Sequence, residues 1–340
     1  MENRKIMKLG RSTLVVSLPK HWVDLNQLNP GDTLLLDVQG DGTLFVHPKA
    51  TKKDEIREFT LKITPDEKKG SIIRKITSCY INGYSSIRIV SSGSFTIDQQ
   101  VAIRNISGKI FLRIMKADSK EIVLGSLLDP SKIPLDIGIR RMHIIACSMC
   151  NDALKAIEQH DAKLANLVYS LDDDVDQFAA LLLRLLSNAA FDLTMADQMG
   201  LTLIECLDVQ TLIHRIEYVA DSAASIAKSI IALRHEEKFP PFLLEPILEA
   251  GHLASSMFEE AIKAFFANDL PSANKIFDLQ STLQKTIRIV VEKTLQEKRA
   301  AIVCATCSIR DSINRIAECG LNIAEIIYNR SMRRNITSYS

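Results

Sequence analysis

The sequence predicts a multidomain chain. A small N-terminal β unit is followed by a small α+β unit, and the C-terminal half is all-α, a duplicated three-helix bundle. Three observations carry this. The stretch LIHRIEYVADSAASIAKSI, Leu212–Ile230, returns about 97 residues later as IRDSINRIAECGLNIAEII, Ile309–Ile327. From Leu135 to about Arg330 apolar residues recur at helical spacing with few glycines. The first fifty residues instead break into short apolar runs separated by turn signals.

In that first stretch, Ile6–Gly10 and Thr13–Leu18 read as β segments hinged at Gly10. Pro19 opens a short helix at a position where its missing N–H is harmless. Asn29-Pro30-Gly31-Asp32 is a turn, Thr33–Val38 a strand, Gly40-Asp41-Gly42 a hairpin turn and Leu44–His47 the returning strand. So little chain cannot bury a core alone, and intertwining with a second copy would solve this. Arg4, Lys5, Lys8, Arg11 and Lys20 are the basic residues of the first twenty-three, against the single acid Glu2. Doubled in a dimer they would form a positive face suited to DNA phosphates, although a basic strand edge also guards against aggregation.

The run RKIMKLGRSTLVVSLPKHWVDLNQLNPGDTLLLDVQGDGTLFVHP resembles the AbrB-type swapped-hairpin DNA-binding domain over Arg4–Pro48. The matching pattern is a basic strand, a Gly-Arg turn, a strand ending in Leu-Pro-Lys, a short helix and a Pro-Gly-Asp turn. The resemblance implies dimerisation by hairpin exchange, with Trp22 in the dimer core. It also implies DNA contact through Arg4, Lys5, Lys8, Arg11 and Lys20, while some relatives serve mainly to dimerise.

Domain bounds follow from composition: 1–50 for this head, 51–134 for the middle unit, 135–240 and 241–330 for the two helical repeats, and 331–340 for a flexible tail. Thr51–Glu58 is charged and reads as a linker. The middle unit then reads as strand Phe59–Ile63, helix Asp66–Cys79, strand Ser86–Val90 and helix Ser94–Ile106 capped by Ser94 or Thr96. A hairpin, Lys109–Met115 and Ile122–Leu127, closes it across Ala117-Asp118-Ser119. It holds no phosphate-binding glycine loop and no catalytic cluster, and reads as a spacer or dimer clamp, with ligand sensing the minority reading. Asp129-Pro130 and Ile133-Pro134 mark its end.

In the helical half the duplication is detailed. Ile216 aligns with Ile313, Ala220 with Ala317, Ala223 with Gly320 and Ile230 with Ile327, forming one apolar stripe half made of small residues. Further upstream, ALKAI at 153–157 parallels AIKAF at 261–265, and Asp161 parallels Asp269 where helix N-caps are expected. The first copy carries about eleven extra residues, placed between Ala190 and Leu203.

Acids decorate the first copy. Asp172 and Asp176 stand one turn apart on its second helix, and Glu217 and Asp221 one turn apart on its third. On neighbouring antiparallel helices the two pairs can face each other. Four facing carboxylates repel and want a cation, and all-oxygen ligation suits Mg, Mn or Fe, with Zn possible. The same spacing also fits a solvated acidic face. In the second copy the equivalents are Gln280, Gln284, Asn314 and Glu318, so at most one well-occupied site per chain is expected, with Glu318 a weak second candidate.

This duplicated unit resembles the PhoU family through DDDVD (172–176), IEYVADSAASIA (216–227) and RIAECGLNIAE (315–325), over roughly 139–329. The resemblance implies an α-helical dimer that binds metal through Asp172, Asp176, Glu217 and Asp221 and restrains phosphate uptake or its signalling. An AbrB-like head on a PhoU-like body also resembles an archaeal arrangement.

The whole-chain numbers are permissive. Net charge is +1 with 24% charged residues, which excludes no partner because charge is segregated. No apolar run approaches the roughly 20 residues that cross a bilayer, so no membrane insertion is expected. The start, MENRKIMKLG, lacks the apolar stretch of a secretory signal, so a cytoplasmic protein is expected. Cys147/Cys150 and Cys304/Cys307 form two CxxC pairs in helical, apolar surroundings, as expected of core thiols in a reducing compartment, with a zinc site the minor alternative. The expected function is a phosphate-responsive transcription regulator with DNA and a second copy as partners. Its rival is an adaptor whose head only dimerises and whose body docks a phosphate-transporter ATPase or a signalling kinase. No nucleophile–base pair is visible, so an enzyme is not expected.

Overall fold

The computed structural model describes residues 2–38, 42–48, 57–126, 134–191, 193–234 and 236–337. The chain divides into two compact units, Met1–Ile56 and Arg57–Ser340.

The first unit consists of two hairpins and a short helix. β1 (Met7–Leu9) pairs antiparallel with β2 (Thr13–Val15) across Gly10, whose φ of +70° suits a residue without Cβ. α1 (Lys20–Leu25) starts after Pro19. Asp32 then accepts a hydrogen bond from the Asn29 amide at 2.7 Å, and Gly31 takes φ +99°, which closes the turn into β3 (Leu34–Val38). β4 (Leu44–Pro48) returns antiparallel, with Leu36 opposite Val46. Among the described residues of this unit none is buried. Ile6, Leu14, Leu36 and Val38 are between 64% and 73% exposed, so a single copy leaves its apolar faces uncovered.

The second unit opens with an α+β layer. β5 (Glu58–Ile63), α2 (Lys69–Ile81), β6 (Ser86–Ser91), α3 (Ile97–Lys109), β7 (Leu112–Ala117) and β8 (Glu121–Ser126) follow in order. The sheet order is β5-β6-β8-β7, with β5 parallel to β6 and the other pairs antiparallel. Alternation decides its faces: Leu61, Ile63, Ile87, Ile89, Ile122 and Leu124 are buried with Ile72, Ile76 and Ile103 of the helices. α2 begins three residues later than its composition suggests. Thr64–Lys68 forms a turn instead, because Gln99 Nε2 donates to the carbonyls of Thr64, Pro65 and Glu67. Thr96 is the cap of α3, in a reciprocal capping box with Gln99.

The body is helical throughout. α4 (Leu135–Gln159), α5 (Ala162–Phe191) and α7 (Leu203–Ile231) form the first repeat, with a short α6 (Leu193–Gln198) between the last two. α8 (Pro241–Ala267), α9 (Leu270–Thr294) and α10 (Ala300–Thr337) form the second. The first joints match: His160 and Asn268 end α4 and α8 at φ +53° and +51°, and Asp161 and Asp269 cap the next helix. The small-residue stripe packs tightly, and a Cβ on Gly320 would sit 3.0 Å from the backbone of Met257 on α8.

Two expectations are corrected. The flexible tail expected over 331–340 is helical as far as Thr337, because Arg333 pairs with Asp208 of α7 and Arg330 reaches Glu205 at 3.6 Å. Of the two readings of the middle unit, spacer or dimer clamp, a free-hanging spacer is set aside, because the unit packs on α5 within the same compact unit. Arg184, inside the apolar run LLLRLL, is buried and donates at 2.7 Å to the carbonyls of Tyr80 and Tyr84. The turn expected at Gly40-Asp41, most of the linker expected over 51–58 and the boundary residues Asp129, Pro130 and Ile133 lie outside the described residues.

Candidate functional site

The acid cluster is built by the α5–α7 seam. Val168, Val175 and Ala179 face inward from α5, as do Val219, Ala220 and Ala223 from α7, all nearly inaccessible. The small side chains let the helices approach, and positions one step around from the seam are brought together at its rim. Antiparallel pairing sets Tyr169 against Lys228, whose ammonium lies 4.8 Å from the ring centre. Further along, Asp172 comes opposite Asp221 and Asp176 opposite Glu217.

The electrostatics follow from this crowding. Burial first, and then the Asp221 carboxylate, raise Asp172 to about 6, against relief from Lys228. Burial, then Asp172, Glu217 and Asp221, raise Asp176 to about 7, although its side chain reaches solvent. Asp221 is also raised by burial, and Lys228 opposes the shift. Glu217 is half-buried and lies 3.3 Å from His214 Nδ1. Asp172 Oδ1 is buried with no hydrogen-bond partner. A buried carboxylate oxygen without a donor is costly, and a cation or a proton relieves it.

Asp172, Asp176, Glu217 and Asp221 bring carboxylate oxygens, the donor type that hard cations take, to one rim of the seam. They do not form a closed cage: among the described residues no group of three or more His, Cys, Asp or Glu side chains is arranged to hold a metal ion. In the second repeat Gln280, Gln284 and Glu318 are exposed, and Asn314 is half-buried with an unpartnered Oδ1. All seven cysteines are free, and burial pushes the Cys147 thiol up to about 12 and Cys150 higher, which opposes thiolate ligation.

Some residues of this region were not singled out from sequence. Asp173 points away from Asp172 and pairs with Lys109 at the end of α3, and Gln177 Nε2 donates to Gly108. With Ala180, Arg184 and Asn188 they form a stripe along α5 that carries the α+β layer. The available signal was Arg184, a charge within a leucine run that demands a buried partner. Between this layer, α5 and α7 lies a cleft of about 530 Å³ whose lining includes Asp176, Glu217 and Lys109 beside Ile73 and Ile106.

In the head, Arg4, Lys5, Lys8, Arg11 and Lys20 are all exposed. Arg4 is paired with Glu2 at 2.8 Å. Trp22 is half-buried.

Residues 139–230 match the PhoU domain family model. This part of the chain is PhoU-like. All four acids of the cluster lie inside that match. Residues 7–54 match a second model, the antidote-toxin recognition domain MazE of bacterial antitoxins, so the head is MazE/AbrB-like. The phosphate-specific transport system accessory protein PhoU homolog of Pseudomonas aeruginosa is 25% identical over 205 residues, covering 55% of this chain and 80% of that protein. The crystal structure of PhoU from Pseudomonas aeruginosa superposes with a TM-score of 0.51 at 22% identity, covering 57% of this chain and 93% of that one, which establishes the PhoU fold of the body. The phosphate transport system regulatory protein PhoU from Streptococcus pneumoniae gives 0.48 at 18% identity, with coverage of 57% and 91%. Among the described residues no helix is long and apolar enough to cross a membrane.

Proposed function

We propose that this chain is a cytoplasmic regulator of phosphate homeostasis, in which a PhoU body reads phosphate status and a dimeric head carries the response to DNA. The phosphate role rests on the PhoU match and on a relative named for phosphate-specific transport. The body's own contribution is the acid cluster, whose unpartnered Asp172 Oδ1 and raised Asp172 and Asp176 favour loading with a divalent or trivalent ion such as Mg, Mn, Fe or Zn. Such an ion would neutralise the repulsion and offer open positions to an oxyanion such as phosphate. The role is regulatory, without catalysis.

Dimerisation is supported by the head's uncovered apolar faces, since exchange of hairpins with a second copy would bury Leu14, Leu36 and Val38. DNA contact is supported by the exposed Arg4, Lys5, Lys8, Arg11 and Lys20. Fluorescence anisotropy with duplex DNA from phosphate-responsive promoters tests this. Binding should weaken steeply between 50 and 200 mM salt, roughly in proportion to the phosphates contacted. Replacing Lys8 and Arg11 by Ala should lower both the affinity and the salt slope. A double variant that binds as the native protein does, with the same slope, refutes the DNA role. The second reading, an adaptor that docks a transporter ATPase or a signalling kinase through its body, is supported by that relative's description as a transport-system accessory protein. Co-purification of such a partner, together with no DNA binding at low salt, would select it.

A further inference from the structure

The extra residues of the first repeat break the duplication, and neither the acid cluster nor the head uses them. In the second repeat α9 passes to α10 with only a short turn between Thr294 and Ala300. In the first, α5 runs on to Phe191, α6 follows, and α7 starts only at Leu203. The inserted stretch forms one wall of a cavity of about 520 Å³ at the end of the bundle. Met195, Met199 and Leu201 line it from the insertion, and Phe265 and Phe266 line it from the last turn of α8. That volume lies within the usual range for small-molecule pockets, and thioethers facing aromatic rings accommodate flat apolar ligands.

Two polar groups in the lining are unsatisfied. Arg330 of α10 lies with its guanidinium 4.7 Å from the Phe265 ring centre, and its buried Nε makes no hydrogen bond, facing the Asp208 carboxylate only at 3.9 Å. Asn268 lines the same cavity, and its Oδ1 is also buried and unpartnered. The acceptor is unmet and the donor has only a long ion pair, so a guest that hydrogen-bonds to both would lower the cost of burying them. The charge of the guest is constrained too. Glu205 and Asp208 stand 3.6 and 3.9 Å from Arg330, and Asp136 also lines the cavity. These acids already compensate the guanidinium and would repel an anion.

We propose that this cavity is a binding site for a neutral, flat, largely apolar small molecule bearing a carbonyl or hydroxyl group. Its body lies between the methionines of the insertion and Phe265 and Phe266, and its polar group meets Arg330 Nε and Asn268. Leu135, in the first turn of α4, also lines the cavity, so occupancy is felt where the chain enters the body after the α+β layer.

The test uses Prodan, a neutral naphthalene ketone whose emission shifts to the blue in apolar surroundings, titrated into the full-length protein. One saturable site per chain is expected. Met199→Trp, which fills the cavity, should weaken it at least tenfold, and Leu201→Trp should do the same. Arg330→Met, which keeps an apolar contact on Phe265 but removes the N–H, should weaken it about threefold to tenfold. Circular dichroism establishes that each variant remains folded, and a variant that does not fold leaves the others to decide. The proposal is overturned if the folded tryptophan variants bind Prodan unchanged. It is also overturned if the anionic anilinonaphthalene sulfonate binds as tightly and with the same dependence on Met199.

Discussion

The two helical repeats share a scaffold and differ in chemistry, and the contrast separates what the fold needs from what a site needs. Ile216 and Ile313, Val219 and Ile316, Ala220 and Ala317 are buried alike. The polar rim diverges: Asp172, Asp176 and Glu217 become Gln280, Gln284 and Asn314. The amides are neutral, so the mutual repulsion of the acids is absent from the second repeat. The helical scaffold therefore does not require carboxylates at these positions.

The largest expected effect comes from exchanging those rims. Replacing Asp172 and Asp176 by Asn should reduce Mn binding by more than about 100-fold, because two of four anionic donors are lost. The reciprocal change, Gln280→Asp, Gln284→Asp and Asn314→Glu beside the existing Glu318, should create a second site. Calorimetry would then read about two Mn per chain where the native protein takes one. If the native protein takes up no Mn, the cation reading fails. If the rebuilt repeat takes up none while the native one does, something beyond the four carboxylates defines the site.

A smaller effect should come from the stripe itself. Ala223 and Gly320 are equivalent positions, and at Gly320 the neighbouring helix comes so near that an added Cβ would meet backbone atoms of Met257 at 3.0 Å. Backbone cannot move aside as a side-chain end can. Gly320→Ala should therefore destabilise by about 1–3 kcal/mol despite its better helix propensity. Ala223→Gly should cost about 1 kcal/mol from the helix alone. Urea unfolding of both variants measures this, and a Gly320→Ala variant no less stable than the native protein would show that α8 gives way at Met257.

The same contrast explains what could be read in advance. Periodicity recorded the duplicated helices, because burial acts on every third or fourth residue and is repeated along the chain. The acids were legible because like charges one turn apart are unfavourable without a reason. The stripe Asp173, Gln177, Ala180, Arg184 and Asn188 was not legible as a docking face, because its partners Gly108, Tyr80 and Gly83 lie some 70 to 105 residues away and no local spacing encodes them. The ordered end of α10 escaped for a similar reason. Arg330 and Arg333 look like solvated tail residues until Asp208, 125 residues upstream of Arg333, is set beside them.

The smallest effect should be on pH dependence, and its sign is fixed by the direction of the shifts. Asp172 and Asp176 are raised from the ordinary 3.8 to about 6 and about 7. The folded protein thus holds protons that the unfolded chain has already released between pH 4 and 7. Stability contributed by these groups is present at low pH, is lost as pH rises through that window, and is gone above 7. In metal-free buffer the melting temperature of the native protein should fall across this window more than that of the Asp172→Asn, Asp176→Asn variant. Titrating groups away from the cluster are common to both proteins and cancel in the comparison. Because both aspartates are partly open to solvent, screening limits the difference to a few degrees. Adding Mn at pH 7.5 should reverse it, since a cation stabilises the ionised acids that protons no longer neutralise. The Gln280 and Gln284 side of the molecule has no titrating counterpart to contribute. A native protein whose melting curve tracks the double variant at every pH would show that the four acids are independent, solvated groups and that the two repeats differ in name only.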